Sequence, residues 1–172
     1  MVLRALTAGI LLFFATCTLV VWAESRSIEG TYRNSALGYS IKIPRGLKGV
    51  TGDQAGPERG VRISLPSGGE IAVFGEPNSL EWKSPEEGVE TELPRSNCGS
   101  GQREVKPALV GRLNGAIGNL ICDNRVLTLF LVFRSHGGPI YWLRLETVRA
   151  HESEDKAILE RIATSFRLVP WK

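Results

Sequence analysis

The stretch that decides the fold is residues 108–148, ALVGRLNGAIGNLICDNRVLTLFLVFRSHGGPIYWLRLETV. It contains four runs rich in β-branched and large apolar residues, separated by short polar or glycine-containing breaks, which is the pattern of strands joined by tight turns. Asn114 and Gly115 give the strongest hairpin signal, because both central positions of a type I′ turn need a positive φ. The stretch therefore predicts a four-stranded antiparallel meander, with strands at residues 108–113, 116–122, 125–134 and 140–148.

Helices are expected to cover both faces of this meander. Residues 126–133 read VLTLFLVF and place apolar side chains on both faces of a strand, so both faces of the sheet should be buried there. Near the C-terminus, Ser153 is a predicted N-cap, and apolar residues then recur at helical spacing. Residues 166–169 are expected to leave that helix as a short edge strand. The helix's apolar stripe consists of Ile158, Leu159, Ile162, Ala163 and Phe166.

The first half of the chain adds further strands and one short helix. Residues 39–43 alternate apolar and polar side chains, and residues 61–65 and 70–74 predict a hairpin. Ser84 and Glu87 form a capping box with proline at the first helical position, so a short helix should begin there. The polar stretches 46–60 and 94–107 are expected to be loops. Together these elements predict an α+β fold, an α/β/α sandwich built on an antiparallel meander.

The N-terminal segment predicts export. Arg4 precedes an uncharged apolar stretch, residues 5–23, that ends before Glu24. A basic residue, an apolar region and a small residue at the junction are typical of a signal peptide, although the stretch is also nearly long enough to span a bilayer. Both interpretations place the rest of the chain outside the cytoplasm. We expect residues 1–23 to be a signal peptide or membrane anchor and residues 24–172 to form one exported domain.

Two cysteines remain in the predicted exported domain, Cys98 and Cys122. An even number of cysteines in an oxidising compartment predicts a disulfide. Closing this loop should stabilise the fold by roughly 3–4 kcal/mol in the chain-entropy model. The alternative is a metal or reactive-thiol pair, which the wide spacing and the positions of His136 and His151 do not favour.

Charge and motifs exclude several classes of function. A net charge of +3 over 172 residues argues against nucleic acid as the main partner, since phosphate binding needs clustered cations in clear excess. No phosphate-binding loop, dinucleotide fingerprint or zinc-protease helix occurs. His136 is followed by two glycines, as in esterase oxyanion loops, but no matching nucleophile motif accompanies it. We expect no catalytic, cofactor-binding or metal site. The cluster Glu86, Glu87, Glu90 and Glu92 fits a solvated helix face.

Two short motifs lie at the ends of the predicted domain. The closing motif is the helix that runs into Ser-Phe-Arg at residues 158–167. The opening motif consists of Tyr32, Asn34, Gly38, Tyr39, Ile41, Ile43 and Pro44. Together they resemble the PsbP-like group of small exported domains. The resemblance implies an α/β/α sandwich and a binding or assembly role, and it transfers no functional residue. The sequence preceding Cys17 departs from the lipobox of the lipid-anchored members.

The sequence therefore favours a non-enzymatic module that binds a protein or takes part in envelope assembly. The alternatives are a carrier of a small ligand or lipid and a hydrolase with dispersed catalytic residues. An envelope protein is the expected partner, with membrane contact only through the N-terminal segment if it is retained. A basic stretch and one loop tryptophan are the candidate surface contacts: Trp82, Arg95, Arg103, Lys106 and Arg112.

Overall fold

The meander predicted from residues 108–148 forms the centre of a larger sheet. The computed structural model describes residues 26–51, 60–93, 102–135 and 137–170, and over these ranges the chain forms eleven strands and two α-helices. The elements are β1 (Arg26–Ile28), β2 (Thr31–Asn34), β3 (Tyr39–Lys42), β4 (Gly49–Thr51), β5 (Gly60–Ser64), β6 (Glu70–Glu76), α1 (Pro85–Glu92), β7 (Gln102–Val110), β8 (Leu113–Cys122), β9 (Arg125–Phe133), β10 (Ile140–Val148), α2 (Glu152–Ser165) and β11 (Arg167–Leu168).

Eight strands form one antiparallel sheet in the order β1-β4-β5-β6-β10-β9-β8-β7. The predicted meander is confirmed as β7 to β10, and the predicted hairpin of residues 61–74 is confirmed as β5 and β6. The remaining strands, β11-β3-β2, form a separate three-stranded sheet. The predicted edge strand after the last helix is β11, which pairs with β3.

The turn between β7 and β8 lies three residues before the predicted one. The strand register closes this hairpin around Gly111 and Arg112, and Gly111 has a φ of +63°. The amide of Gly111 donates to the carbonyl of Ala163 at 2.7 Å, which ties the turn to the end of α2. Gly115 lies inside β8 instead, where a Cβ atom would be 2.4 Å from a carbonyl oxygen of β9. The prediction of a turn at Asn114 and Gly115 is therefore wrong, because a tertiary contact fixes the register.

Two segments predicted as loops contain strands. β4 lies within the predicted loop 46–60, and β7 begins at Gln102, within the predicted loop 94–107. β4 is only three residues long, too short for an alternating pattern to be recognised, and β7 lies at an edge of the sheet with only Val110 buried. Counting outward from the two-residue turn, Pro107 occupies a non-hydrogen-bonded pair, so its nitrogen faces the outer edge of β7. Proline is tolerated there because no ladder hydrogen bond is lost.

Helix α1 begins as its capping residues predict, with one difference. The Ser84 hydroxyl accepts a hydrogen bond from the Glu87 amide at 3.2 Å, as in a capping box. The Glu87 carboxylate reaches the amide of Lys83 at 2.7 Å rather than that of Ser84. Gly88 faces the sheet, and a Cβ atom there would lie 2.3 Å from the side chain of Leu131. This glycine therefore lets the helix approach β9 closely.

Helix α2 covers the opposite face of the sheet. Its predicted apolar stripe is buried, from Ile158 to Phe166. The helix begins at Glu152, and no side chain caps it, so the predicted Ser153 cap is wrong. Asp155, only 1% exposed, anchors the first turns instead, because its carboxylate accepts hydrogen bonds from the hydroxyls of Ser67 and Thr147.

The core is divided by the large sheet into two clusters. The larger one joins α2 and the three-stranded sheet to one face, around the ring of Tyr39, which stacks on Phe166 at 5.7 Å between centroids. The smaller one lies beneath α1 on the other face. The α+β fold, with its sheet between helices, is confirmed. No described helix is both long and apolar enough to cross a bilayer.

Candidate functional site

Helix α1 covers only part of its face of the sheet. It packs on β7, β8 and β9, whereas Phe74, Glu76 and Arg144 on the neighbouring strands β6 and β10 are only half-buried. A cavity of about 330 Å³ lies beside the helix at this boundary. We call this region the α1-side groove. Its floor consists of Phe74, Leu127, Leu129 and Trp142, and its charged lining residues are Glu76, Glu92 and Arg144.

The groove continues towards the β8–β9 turn. A second cavity of about 860 Å³ shares Leu127 and Arg144 with the first and extends to the strand ends around Cys122 and Arg125. Strand alternation explains the shared lining, since Trp142, Arg144 and Glu146 occupy every second position of β10 and project from one face. The two cavities therefore meet at Leu127 and Arg144 on the α1 side of the sheet, and the second one also reaches the β5–β6 turn and Thr147 at the strand ends.

Arg144 is the charged centre of the groove. One guanidinium nitrogen, Nη2, pairs with Glu146 Oε1 at 2.5 Å. Its Nε atom is buried and has no hydrogen-bond partner among the described residues. A buried donor without a partner costs about 1–3 kcal/mol, so an acceptor that reached Nε after a small movement of the side chain would gain this amount. The groove thus combines an apolar floor with an incompletely satisfied cation.

The two tryptophans near the groove are fixed by packing. Trp82 and Trp142 meet edge to face with centroids 5.7 Å apart, and the Trp142 Nε1 donates to Glu76 Oε1 at 2.8 Å. Trp82 is only 7% exposed, because it fills the space between α1 and the sheet. This burial contradicts the prediction that Trp82 is a surface contact. Asn78 holds its backbone in place through two hydrogen bonds.

The predicted basic stretch does not form a single surface. Arg95 lies outside the described residues. Arg103 and Lys106 occupy odd and even positions of β7 and therefore project from opposite faces of the sheet. Lys106 also pairs with Glu104 at 3.5 Å. Arg112 is exposed in the β7–β8 turn, beside the end of α2.

The predicted Cys98–Cys122 disulfide stays a prediction. Cys122 is half-buried at the end of β8 and lines the larger cavity. Cys98 lies outside the described residues.

The two histidines offer no assembled chemistry in the described part of the chain. His151 is exposed at the start of α2, and His136 is outside the described residues. Within the described ranges, no three His, Cys, Asp or Glu side chains come together as a metal-binding group. The acidic side chains of α1 are exposed or half-buried.

The titratable groups with shifted pKa values belong to the core. Burial raises the pKa of Tyr39 far above its ordinary value, and burial also raises the pKa of Tyr32. The Tyr39 hydroxyl donates to the Val73 carbonyl at 3.2 Å, and Asn34 donates to the Tyr32 hydroxyl at 3.1 Å. Neither phenol lines the groove, so these shifts reflect packing under α2.

Comparison with known proteins identifies the fold. No protein-family model matches the sequence, and no curated protein matches it. Among solved structures, cyanobacterial PsbP (CyanoP) from Synechocystis sp. PCC 6803 superposes with a TM-score of 0.55 at 15% identity, covering 90% of this chain and 98% of CyanoP. The chain has the PsbP-like fold. The Ran-binding protein Mog1p of Saccharomyces cerevisiae also matches, with a TM-score of 0.54 at 10% identity over 86% of this chain and 97% of Mog1p.

The predicted resemblance to the PsbP-like group is confirmed at the level of the fold. At these identities the comparison carries no site residue from either protein to this chain. Sequence reasoning missed the groove residues Phe74, Glu76 and Arg144. One available signal was Arg144 itself, a charged residue between Leu143 and Leu145 in a strand predicted to be buried.

Proposed function

We propose that this chain is an exported, non-enzymatic module that binds an envelope protein through the α1-side groove. The observation that carries the proposal is the groove itself, a cavity beside α1 that has the half-buried Phe74 in its apolar lining and Arg144 at its centre. Protein interfaces favour aromatic and apolar residues at their core with a few charged groups that set orientation. Phe74 and Arg144 provide these two elements.

The comparisons and the lack of assembled chemistry agree with a binding role. Mog1p, which has a similar fold, is described as a Ran-binding protein. The described part of this chain contains no group of side chains able to hold a metal ion. Export is supported by the apolar N-terminal segment, residues 5–23. Intact mass measurement of the exported protein tests this, since cleavage should remove the first 23 residues and a retained anchor should leave them.

Site-specific photocrosslinking tests the groove. A photoreactive amino acid replaces Phe74 in the groove or, as a control, Leu109, which is 66% exposed on the edge strand β7. We expect the groove position to form one reproducible protein adduct in the envelope of the host. Arg144→Glu should abolish this adduct. Arg103→Glu changes the net charge by the same amount at a position that does not line the groove, so it should leave the adduct unchanged.

The carrier of a small ligand is the second candidate, because a cavity of about 330 Å³ could hold a compact apolar molecule. Native mass spectrometry distinguishes the two candidates. Bound small-molecule mass that disappears in Arg144→Glu, without a protein adduct at position 74, would overturn the protein-binding proposal in favour of the carrier.

A further inference from the structure

The three-stranded sheet presents a basic surface to solvent. Its strands alternate strictly, with Tyr32, Asn34, Tyr39 and Ile41 buried against the large sheet. The side chains that point outward are polar or cationic and are mostly exposed. We call these outward residues the basic face: Thr31, Arg33, Ser40, Lys42 and Arg167.

The basic face carries three cations and no acidic side chain on its own strands. Arg33 and Arg167 both pair across strands with Ser40, so their Cα atoms lie about 10 Å apart, two strand spacings. Lys42 follows two positions along β3 on the same side. Neither Arg33 nor Lys42 makes an ion pair with another described residue, whereas Arg167 donates hydrogen bonds to carbonyls at the end of α2.

Neighbouring elements extend this charge. The Lys42 amide donates to the Ser165 hydroxyl at 2.8 Å, and Arg161 lies one helical turn before Ser165 on the same side of α2. Glu160 is the acidic residue of the same turn, on the solvent side of the helix. The β7–β8 turn brings Arg112 to the end of α2 near Arg167.

The basic side chains of the large sheet, unlike those of the basic face, are mostly paired with carboxylates. Many of these side chains lie within 4 Å of a carboxylate, as in the pairs Arg62–Glu70, Lys106–Glu104 and Arg125–Glu146. Clustered cations without such partners repel one another, and this repulsion is relieved when an anionic surface neutralises them. The basic face is therefore a candidate docking surface.

We propose that the basic face rests on the anionic phospholipid headgroups of the membrane through which the chain is exported. A protein partner fits this face less well, because the face lacks the aromatic or apolar anchors that give protein interfaces their affinity. Binding to a layer of anionic headgroups requires only cationic side chains on the protein. Each basic side chain near an anionic surface strengthens adsorption by about fivefold. The proposal does not depend on the groove.

The position of the face along the chain supports the membrane as its occupant. β2 begins eight residues after Ala23, the last residue of the apolar segment. Eight residues reach at most about 28 Å even when fully extended. If the apolar segment is retained, it therefore holds the basic face near the bilayer. If the segment is cleaved, only electrostatic attraction draws the basic face to the membrane.

Lysine footprinting tests the proposal with the full chain. The protein is reconstituted into vesicles of phosphatidylcholine, with or without added phosphatidylglycerol, and treated with a membrane-impermeant amine-acylating reagent. Peptide mass spectrometry then gives the modification rate of Lys42 relative to Lys83, an exposed lysine near α1 that serves as an internal reference. We expect the relative rate of Lys42 to fall at least about threefold in the anionic vesicles and to recover at high salt, where screening shortens the range of the interaction.

Variants separate charge from packing. Arg33→Gln with Arg161→Gln should remove the protection of Lys42, and Arg33→Lys with Arg161→Lys should keep it. Arg103→Gln with Arg149→Gln removes the same net charge from exposed positions away from the basic face and should leave the protection intact. If Arg33→Gln with Arg161→Gln disturbs folding, the rate of Lys42 modification in the unsubstituted protein, compared between the two vesicle types, still tests the proposal.

Three results would overturn the proposal. Lys42 could react at the same relative rate in both vesicle types at low salt. Its protection could persist at high salt. Alternatively, protection could appear in neutral vesicles only after an envelope protein extract is added, which would assign the basic face to a protein partner.

Discussion

Replacing Gly118 with alanine should destabilise the protein, although general strand propensity predicts the opposite. Glycine inside a strand is roughly 0.5–1 kcal/mol less favourable than alanine. In this chain, however, α1 lies directly on Gly118. A Cβ atom at this position would be 2.3 Å from Val89 Cγ1 and 2.7 Å from Leu93 Cδ1, well below ordinary carbon contact distances of about 3.5–4.0 Å.

The expected size of the effect follows from these two contributions. Overpacking a well-filled core costs about 1–3 kcal/mol, which exceeds the propensity gain. We therefore expect Gly118→Ala to lower the free energy of unfolding by roughly 1–2 kcal/mol, measured by urea denaturation. The melting temperature should fall by about 2–8 °C, since a domain of this size loses about 2–4 °C per kcal/mol.

A double-mutant cycle locates the cause. Val89→Ala removes the nearest clashing methyl group, so Gly118→Ala should cost little when added to it, with a coupling energy near 1 kcal/mol. Gly138→Ala is the matched control, because a Cβ there meets chiefly the hydroxyl of Ser135, which can rotate. It should change stability by less than about 0.5 kcal/mol. A Gly118→Ala protein as stable as the parent would refute the close packing of α1 on β8.

Three further predictions concern the rest of the fold. Asp155→Ala should lower the free energy of unfolding by about 2–4 kcal/mol in urea denaturation, because it leaves two hydroxyl donors unpaired, whereas Asp155→Asn should cost less. Pro107→Val restores an outward N–H group on the edge strand and should shift the protein towards dimers or larger species in light scattering; a monomer at all concentrations would contradict this. Because burial raises the pKa of Tyr39, the folded state retains its proton above about pH 10, where the unfolded chain loses it, so stability should fall as the pH rises from there. Tyr39→Phe should flatten this decline in denaturation curves measured at stepwise pH.

The elements that were predicted correctly depend on local patterns. The meander follows from apolar runs separated by turn residues, and the start of α1 follows from Ser84 and Pro85, whose effects act within one helical turn. The stripe of α2 follows from the period of 3.6 residues. Two strands were missed for different reasons: β4 has only three residues, and the edge strand β7 buries only Val110, so neither carries the long alternation that identifies a strand.

The groove could not be predicted because it depends on which part of the sheet α1 leaves open. Gly88 and Gly118 allow the helix to approach β8 and β9, and this placement uncovers Arg144 two strands away from Gly118. The same placement buries Trp82, whose position in a polar loop indicated exposure. These outcomes require contacts between residues distant in sequence.

The sequence by itself therefore determined the α+β class, the meander, both helices and the resemblance to the PsbP-like group, because each depends on periodicity, capping or short motifs. Only the tertiary structure decided which charged side chains share a surface. It separated Arg103 from Lys106 by strand alternation, and it gathered Arg33, Lys42 and Arg167 from three strands onto one face. The physical reason is that strand pairing sets which side chains share a face, and pairing between distant segments leaves no local signal in the sequence.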